Sequence, residues 1–416
     1  MRFLFIPFSA QGHVTPMLPI ARELLARGDA VTFFVTEEYE ALARSTGATV
    51  RRIDEGLGLP KLPGGVVKTG PEAIDALGPA LFQTFARGVR MAPRLAEQLR
   101  AEAADCLVYD PMCTWGRVVA RLLRLPVAAF STSYVMNDAA PDDGERKKGG
   151  GPPPFSMLLS VLRLRLSCEW LYWRHKVPLR TLAQLFSAIE PLNIVCVPRR
   201  FHPRGESFDE RFLFVGPTVQ AREEPGDFPL ERLEGRRTLF ISLGTTPMNQ
   251  RPDFYRACLQ TFGGSDWQVV LVTGKGIGPE LLGDIPSNVI VRPSVPQLEV
   301  LKRAHVFITH GGMNSTLEGL WHGVPLVVFP QVREQAVTAR QVAQHGFGLA
   351  FEIGPVPTAE ALRQAVGTVD TDAGYRARIA HFQPALREGG GHLRAVEALR
   401  QLASSSREQA PQRIAS

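Results

Sequence analysis

Apolar positions along the chain fall into two kinds of run. Short, nearly unbroken stretches rich in β-branched and aromatic residues span Arg2–Phe8, Ala30–Thr36, Thr49–Ile53, Cys106–Tyr109, Val127–Phe130 and Asn193–Val197. A second series follows at Thr238–Leu243, Gln268–Thr273, Val289–Val291, Val306–Thr309 and Leu326–Phe329. Longer amphipathic stretches separate them. Continuous apolar strands alternating with helices predict parallel sheets covered on both faces. Two such series predict an α/β chain of two doubly wound domains. Periodicity fades where Pro, Gly and charge cluster, so the reading places an N-terminal domain at 1–216, a linker at 217–236 and a second domain at 237–380. The charged Gly/Pro run over 140–154 reads as a surface loop, and 403–416 as a disordered tail.

Composition narrows the class. Of 416 residues, 44% are hydrophobic and 21% charged, which excludes bulk disorder. No apolar stretch is long enough for a spanning helix. The opening MRFLFIPFSAQGHV lacks the layout of a signal peptide and reads as a first strand. Five scattered cysteines (Cys106, Cys113, Cys168, Cys196, Cys258) fit a cytoplasmic protein and argue against a disulfide scaffold or a thiolate metal site. The formal charge of +6 suits anionic substrates and is too small to imply a nucleic-acid partner. Met157–Trp173 is apolar with interspersed arginines; a core-facing helix or the wall of a ligand pocket is expected there, and membrane contact is not.

Candidate chemistry concentrates in 292–335, where a strand ending at Thr309 runs into His310-Gly311-Gly312 and a helix opens near Asn314. Glycines before a helix let backbone approach a ligand, and the first-turn N–H groups are donors at the positive end of the dipole. A phosphate held there needs no metal. Ser315 and Glu318 also match a capping box, and spacing alone leaves both readings open. Elsewhere Gly274–Gly278 imitates a dinucleotide loop without its third glycine, and Asp370-Thr371-Asp372 imitates a metal motif; both read as turns.

The segment resembles the donor-binding signature of the family 1 inverting glycosyltransferases, among them bacterial macrolide enzymes and plant UDP-glucosyltransferases. It matches in P-Q at 296–297, THGGMNSTLE at 309–318, GVP at 323–325 and EQ at 334–335. GHVTP at 12–16 and SLGT at 242–245 extend the resemblance over most of the chain. It implies a GT-B fold, two Rossmann-like domains facing a cleft, with a last helix at about 381–402 crossing back to the first domain. It implies that His310, Gly312 and the N–H groups of Asn314, Ser315 and Thr316 bind the donor diphosphate. Glu318 would take the ribose, Val295 and Gln297 the base, and Glu334 and Gln335 the sugar hydroxyls. Ser242 and Thr245 would contact the donor from a strand end. Ser294 stands where the family carries a base-stacking Trp, which leaves UDP and dTDP both open.

His13 follows the first strand, where ligand-facing loops of open α/β sheets lie. A neutral imidazole, with a reference pKa of about 6.5, suits removal of a hydroxyl proton. From the residues alone, a structural helix-start histidine is the favoured reading. The family match makes His13 the catalytic base and Asp110 its orienting partner. The expected activity is transfer of a hexose from a sugar nucleotide, with no other cofactor and no metal, to a hydroxyl of a lipophilic small molecule such as a polyketide or phenolic. Phe82, Phe85, Tyr134, Phe155, Trp170 and Trp173 are candidate acceptor contacts. A monomer or homodimer is expected. The rivals are a sugar-nucleotide epimerase of the same fold and a non-catalytic partner protein; the latter would be expected to lack the His/Asp pair.

Overall fold

The apolar runs become strands because each can bury both faces. The computed structural model describes residues 1–58, 71–136, 155–179, 181–186, 189–220, 228–244, 249, 251–274 and 276–409. Among them the chain forms two units, one taking in 1–58, 75–218 and 387–409, the other 71–74 and 219–386. The first holds β1 (Arg2–Ile6), β2 (Ala30–Val35), β3 (Thr49–Arg52), β4 (Cys106–Tyr109), β5 (Val127–Ser131), β6 (Leu192–Val195) and β7 (Phe212–Phe214). All pair in parallel in the order β3-β2-β1-β4-β5-β6-β7. The second holds β8 (Thr238–Ser242), β9 (Gln268–Val272), β10 (Val289–Arg292), β11 (Val306–Thr309), β12 (Leu326–Val328) and β13 (Gly348–Ala350), in parallel order β10-β9-β8-β11-β12-β13.

Alternation along β1 and β4 shows the double burial. Leu4, Ile6, Leu107 and Tyr109 point to a core filled by Val89, Val118 and Leu164. Phe3, Phe5, Cys106 and Val108 point the other way, onto Ile20, Leu24, Val396 and Leu399. In the second unit Leu239 and Ile241 pack on Phe254 and Leu362, while Phe240 and Phe307 stack at 4.5 Å between neighbouring strands. All five cysteines are buried and unpaired.

The structure revises several of these expectations. Strands β7 and β13 had no counterpart among the eleven apolar runs; both are three-residue edge strands and only partly buried. The single helix expected over 381–402 is two, Ala373–Glu388 and Gly391–Gln409. Gly390 lies between them at φ +78°, a conformation glycine adopts without strain. The second helix runs past Ala403, which is fully buried, so the tail begins later than expected; 410–416 lie outside the described residues, as do 140–154 and 221–227. Finally, the helix Phe155–His175 is core-facing on one side only. Among the described residues no helix is long and apolar enough to cross a membrane.

Candidate active site

Open α/β sheets present ligands to the carboxyl ends of strands where the strand order reverses. In the first sheet that point lies between β1 and β4. His13 stands in the short helix Gln11–Val14 that follows β1, and Asp110 directly follows β4. The His13 Nδ1 to Asp110 Oδ2 distance is 2.6 Å. Asp110 is 2% exposed, whereas the His13 side chain retains 27%. The carboxylate's other oxygen accepts from the Met112 N–H at 2.8 Å, which fixes its plane. Thr132 Oγ1 lies 3.3 Å from the same imidazole nitrogen, and the Phe8 ring meets the imidazole edge-on at 5.4 Å. An ionised carboxylate only accepts, so Nδ1 carries the proton and Nε2 the basic lone pair. Such an arrangement can serve as a general base and its orienter.

In the second sheet the order reverses between β8 and β11. Ser242 ends β8, and its Oγ accepts from the Gly244 N–H at 3.3 Å. His310 follows β11, in contact with two glycines. A Cβ on Gly244 would stand 2.7 Å from its Cε1, and one on Gly312 only 2.2 Å from its Nε2. Both positions must therefore be glycine for the ring to lie against the strand ends. Burial pulls the His310 pKa down to about 4, opposed by a hydrogen bond from the ring to the Ser242 backbone. The ring is neutral at neutral pH and can recognise an anion as a donor only.

The helix Met313–Trp321 opens at Gly312, which has no side chain to cap with. Ser315 thus lies inside the first turn, so the capping-box reading fails at this position. Thr316 also departs from expectation: its N–H is already donated to the Gly312 carbonyl at 2.9 Å. The N-terminal turn before it, Met313 to Ser315, is the part directed out of the helix. Glu318, 4% exposed, accepts from Gln297 Nε2 at 2.5 Å, so the structure joins two residues that the sequence assigned to different parts of a nucleotide. Val295 is buried and Ser294 and Arg292 beside it are exposed. Thr245 lies outside the described residues.

Glu334 is exposed at the start of the helix Arg333–Gln344. Its neighbour Gln335 is buried and committed to the protein: Oε1 accepts from the Gln331 N–H at 2.7 Å, and Nε2 donates to Asn249 Oδ1 at 3.4 Å. Gln331 in turn accepts from Arg251 at 3.0 Å. Asn249, Gln331 and Arg251 were not anticipated, since nothing in their sequence context marks them. The D-x-D imitation is resolved as structure, with Asp370 binding the guanidinium groups of Arg237 and Arg376. Among the described residues no group of three or more His, Cys, Asp or Glu is placed to hold a metal.

The aromatic acceptor candidates do not form one wall. Phe82 and Phe85 meet edge to face with Phe186, which the sequence did not single out, at centroid distances of 5.4–6.0 Å. Tyr134 belongs to another cluster, against His202 at 5.3 Å. Phe155, Trp170 and Trp173 are 79%, 44% and 66% exposed.

Residues 256–385 match the family described as Erythromycin biosynthesis protein CIII-like, C-terminal domain. The chain is 35% identical over 392 residues to NDP-glycosyltransferase YjiC of Bacillus subtilis (strain 168), covering 94% of each. It is 30% identical over 409 residues to demethyllactenocin mycarosyltransferase of Streptomyces fradiae, covering 97% of this chain and 86% of that one. Among solved structures, the glycotransferase of kitacinnamycin superposes with a TM-score of 0.80 at 30% identity, over 96% of this chain and 98% of the other.

Proposed function

Because the chain belongs to the nucleotide-sugar-dependent glycosyltransferases and has their GT-B class of fold, we propose that it is an inverting O-glycosyltransferase acting on a lipophilic small-molecule hydroxyl in the cytoplasm. The observation that carries this reading is the His13–Asp110 pair at the reversal point of the first sheet. His13 Nε2 takes the acceptor's proton while Asp110 holds the ring and balances the imidazolium. The acceptor oxygen bonds to the anomeric carbon from the side opposite the nucleotide. The bond from that carbon to the diphosphate oxygen breaks, its electron pair leaving with the diphosphate. One displacement inverts the centre, so an α-linked donor yields a β-glycoside.

The donor diphosphate is assigned to His310 and the first turn of the helix Met313–Trp321, whose dipole favours an anion. Preorganised donors of this kind stabilise charge that develops on the leaving group. Glu318, steadied by Gln297, accepts from the ribose. Glu334 reads the sugar, while Gln335 holds the turn that presents it. With Ser294 in place of an aromatic platform, base recognition falls to Val295 and Gln297, which suits either UDP or dTDP sugars.

The test is product mass spectrometry with UDP-glucose and dTDP-sugars against a panel of polyketide and phenolic acceptors. His13→Ala should lower turnover by about 10²–10⁴-fold, the range for loss of a general base, while UDP binding persists. Asp110→Asn should retain the fold and lose much of the rate. Near-native turnover in both variants overturns the mechanism, and conversion of the donor without acceptor would favour an epimerase. Activity should also withstand EDTA, because helix and histidine donors are assigned the role a divalent ion would play; loss on chelation with recovery on adding Mg²⁺ or Mn²⁺ overturns that assignment.

A further inference from the structure

The helix Phe155–His175 carries two apolar faces, and the core takes only one. Ser160, Leu164, Ser167, Cys168 and Leu171 are buried against the first unit. On the opposite side Phe155, Leu158, Leu162, Leu166, Trp170 and Trp173 recur at three- and four-residue intervals and stay between 44% and 79% exposed. At about 100° per residue they form one stripe roughly 120° wide, interrupted by the half-exposed Glu169 near its tryptophan end, and at 1.5 Å per residue it runs about 27 Å. Arg163 and Arg165, both exposed, fall on its two edges, and Arg174 and Lys176 are exposed at its tryptophan end. Lys176 Nζ lies 5.6 Å from the Trp173 ring centroid.

Isolated exposed apolar residues need no explanation; an extended stripe broken by one acidic residue does. We propose that this stripe docks the protein reversibly on an anionic phospholipid surface. The argument is charge complementarity combined with shape. A straight, exposed stripe bordered by arginines on both sides matches a helix lying in the interface, with side chains among acyl groups and guanidinium groups at phosphates. Tryptophans at one end suit the headgroup level, where an indole can be half apolar and half polar. A wall for one small acceptor would not need 27 Å of helix, about 1.5 Å per residue from Phe155 to Trp173. A self-complementary contact between copies would bring like-charged arginine borders together. This inference does not rest on the donor or base assignments.

Co-sedimentation of the full chain with vesicles tests it, comparing phosphatidylcholine alone with an equal mixture of phosphatidylcholine and phosphatidylglycerol. Binding to the mixed vesicles is expected, weakening as salt is raised. Leu162→Glu combined with Leu166→Glu should lower that binding by about tenfold or more, since it places charge in the apolar stripe. Arg163→Ser combined with Arg165→Ser should weaken binding to the anionic vesicles severalfold and reduce its salt dependence. All four positions are outside the core, and thermal unfolding checks that both variants stay folded. Failure of the native chain to bind mixed vesicles overturns the proposal. So does undiminished binding by the leucine variant, or a change from dimer to monomer in that variant with vesicle binding intact, which would make the stripe an interface between copies.

Discussion

His310 links burial to ligand charge. Burial keeps its ring neutral near pH 7, with one proton to donate. An arriving diphosphate favours the doubly protonated ring, because a nearby anion stabilises its charge. Nucleotide binding should therefore be accompanied by proton uptake between about pH 6.5, the unperturbed histidine value, and about pH 4. Titration calorimetry with UDP in buffers of different ionisation enthalpy measures this directly. His310→Gln keeps a donor but does not titrate, so uptake should fall to that of UDP alone; equal uptake in both proteins refutes the linkage. The unliganded protein behaves oppositely. A histidine whose native pKa is depressed binds fewer protons folded than unfolded, so its stabilisation is complete above about pH 6.5 and is lost as pH falls toward 4. His202, also drawn down to about 4 by burial, acts in the same window in the other unit.

At the scale of elements, what the sequence made legible follows from length and burial. Central strands such as β4 and β11 were delimited to the residue, because four consecutive buried positions leave a continuous apolar run. The edge strands β7 and β13 were not, since each is three residues long and only partly buried, unlike the equally short but fully buried β12. The glycine break at Gly389–Gly391 was passed over because the amphipathic pattern resumes beyond it. In the site, motif residues following strands were found, whereas partnerships were not. Spacing cannot show that Gln335 is bound by Asn249, or that Gln297 reaches Glu318 across 21 positions of sequence. That last contact ties the start of the helix Gln297–Leu301 to the middle of the helix Met313–Trp321. If Gln297 acts by orienting Glu318, the two should not contribute independently to nucleotide affinity. A double-mutant cycle with Gln297→Ala and Glu318→Ala, read by UDP titration, should give a coupling of about 0.5–3 kcal/mol, the range for residues in direct contact. Strict additivity would mean that each meets the nucleotide by itself.

At the scale of the whole molecule, the order of the chain and the order of its cores differ. The first unit begins at Met1, is left after Thr218 and is resumed at Arg387, once the second unit is complete. What returns is part of its core. Ala395, Val396, Leu399 and Ala403 of the helix Gly391–Gln409 are fully buried among Phe3, Ile20, Leu24 and Val108. Without that helix the β1–β4 face would expose the apolar surface that makes a parallel sheet stable only when covered on both sides. The second unit has its own core, to which these residues contribute nothing. Leu399→Ala should therefore lower the stability of the first unit by about 2–5 kcal/mol, the range for a leucine cavity. The second unit, and with it UDP binding, should change little. Urea unfolding followed by a probe in each unit, alongside UDP titration below the transition, separates the two responses. A matched fall in both transitions would mean that the units unfold as a single cooperative body, so that the returning helix governs the donor half as strongly as the half it covers.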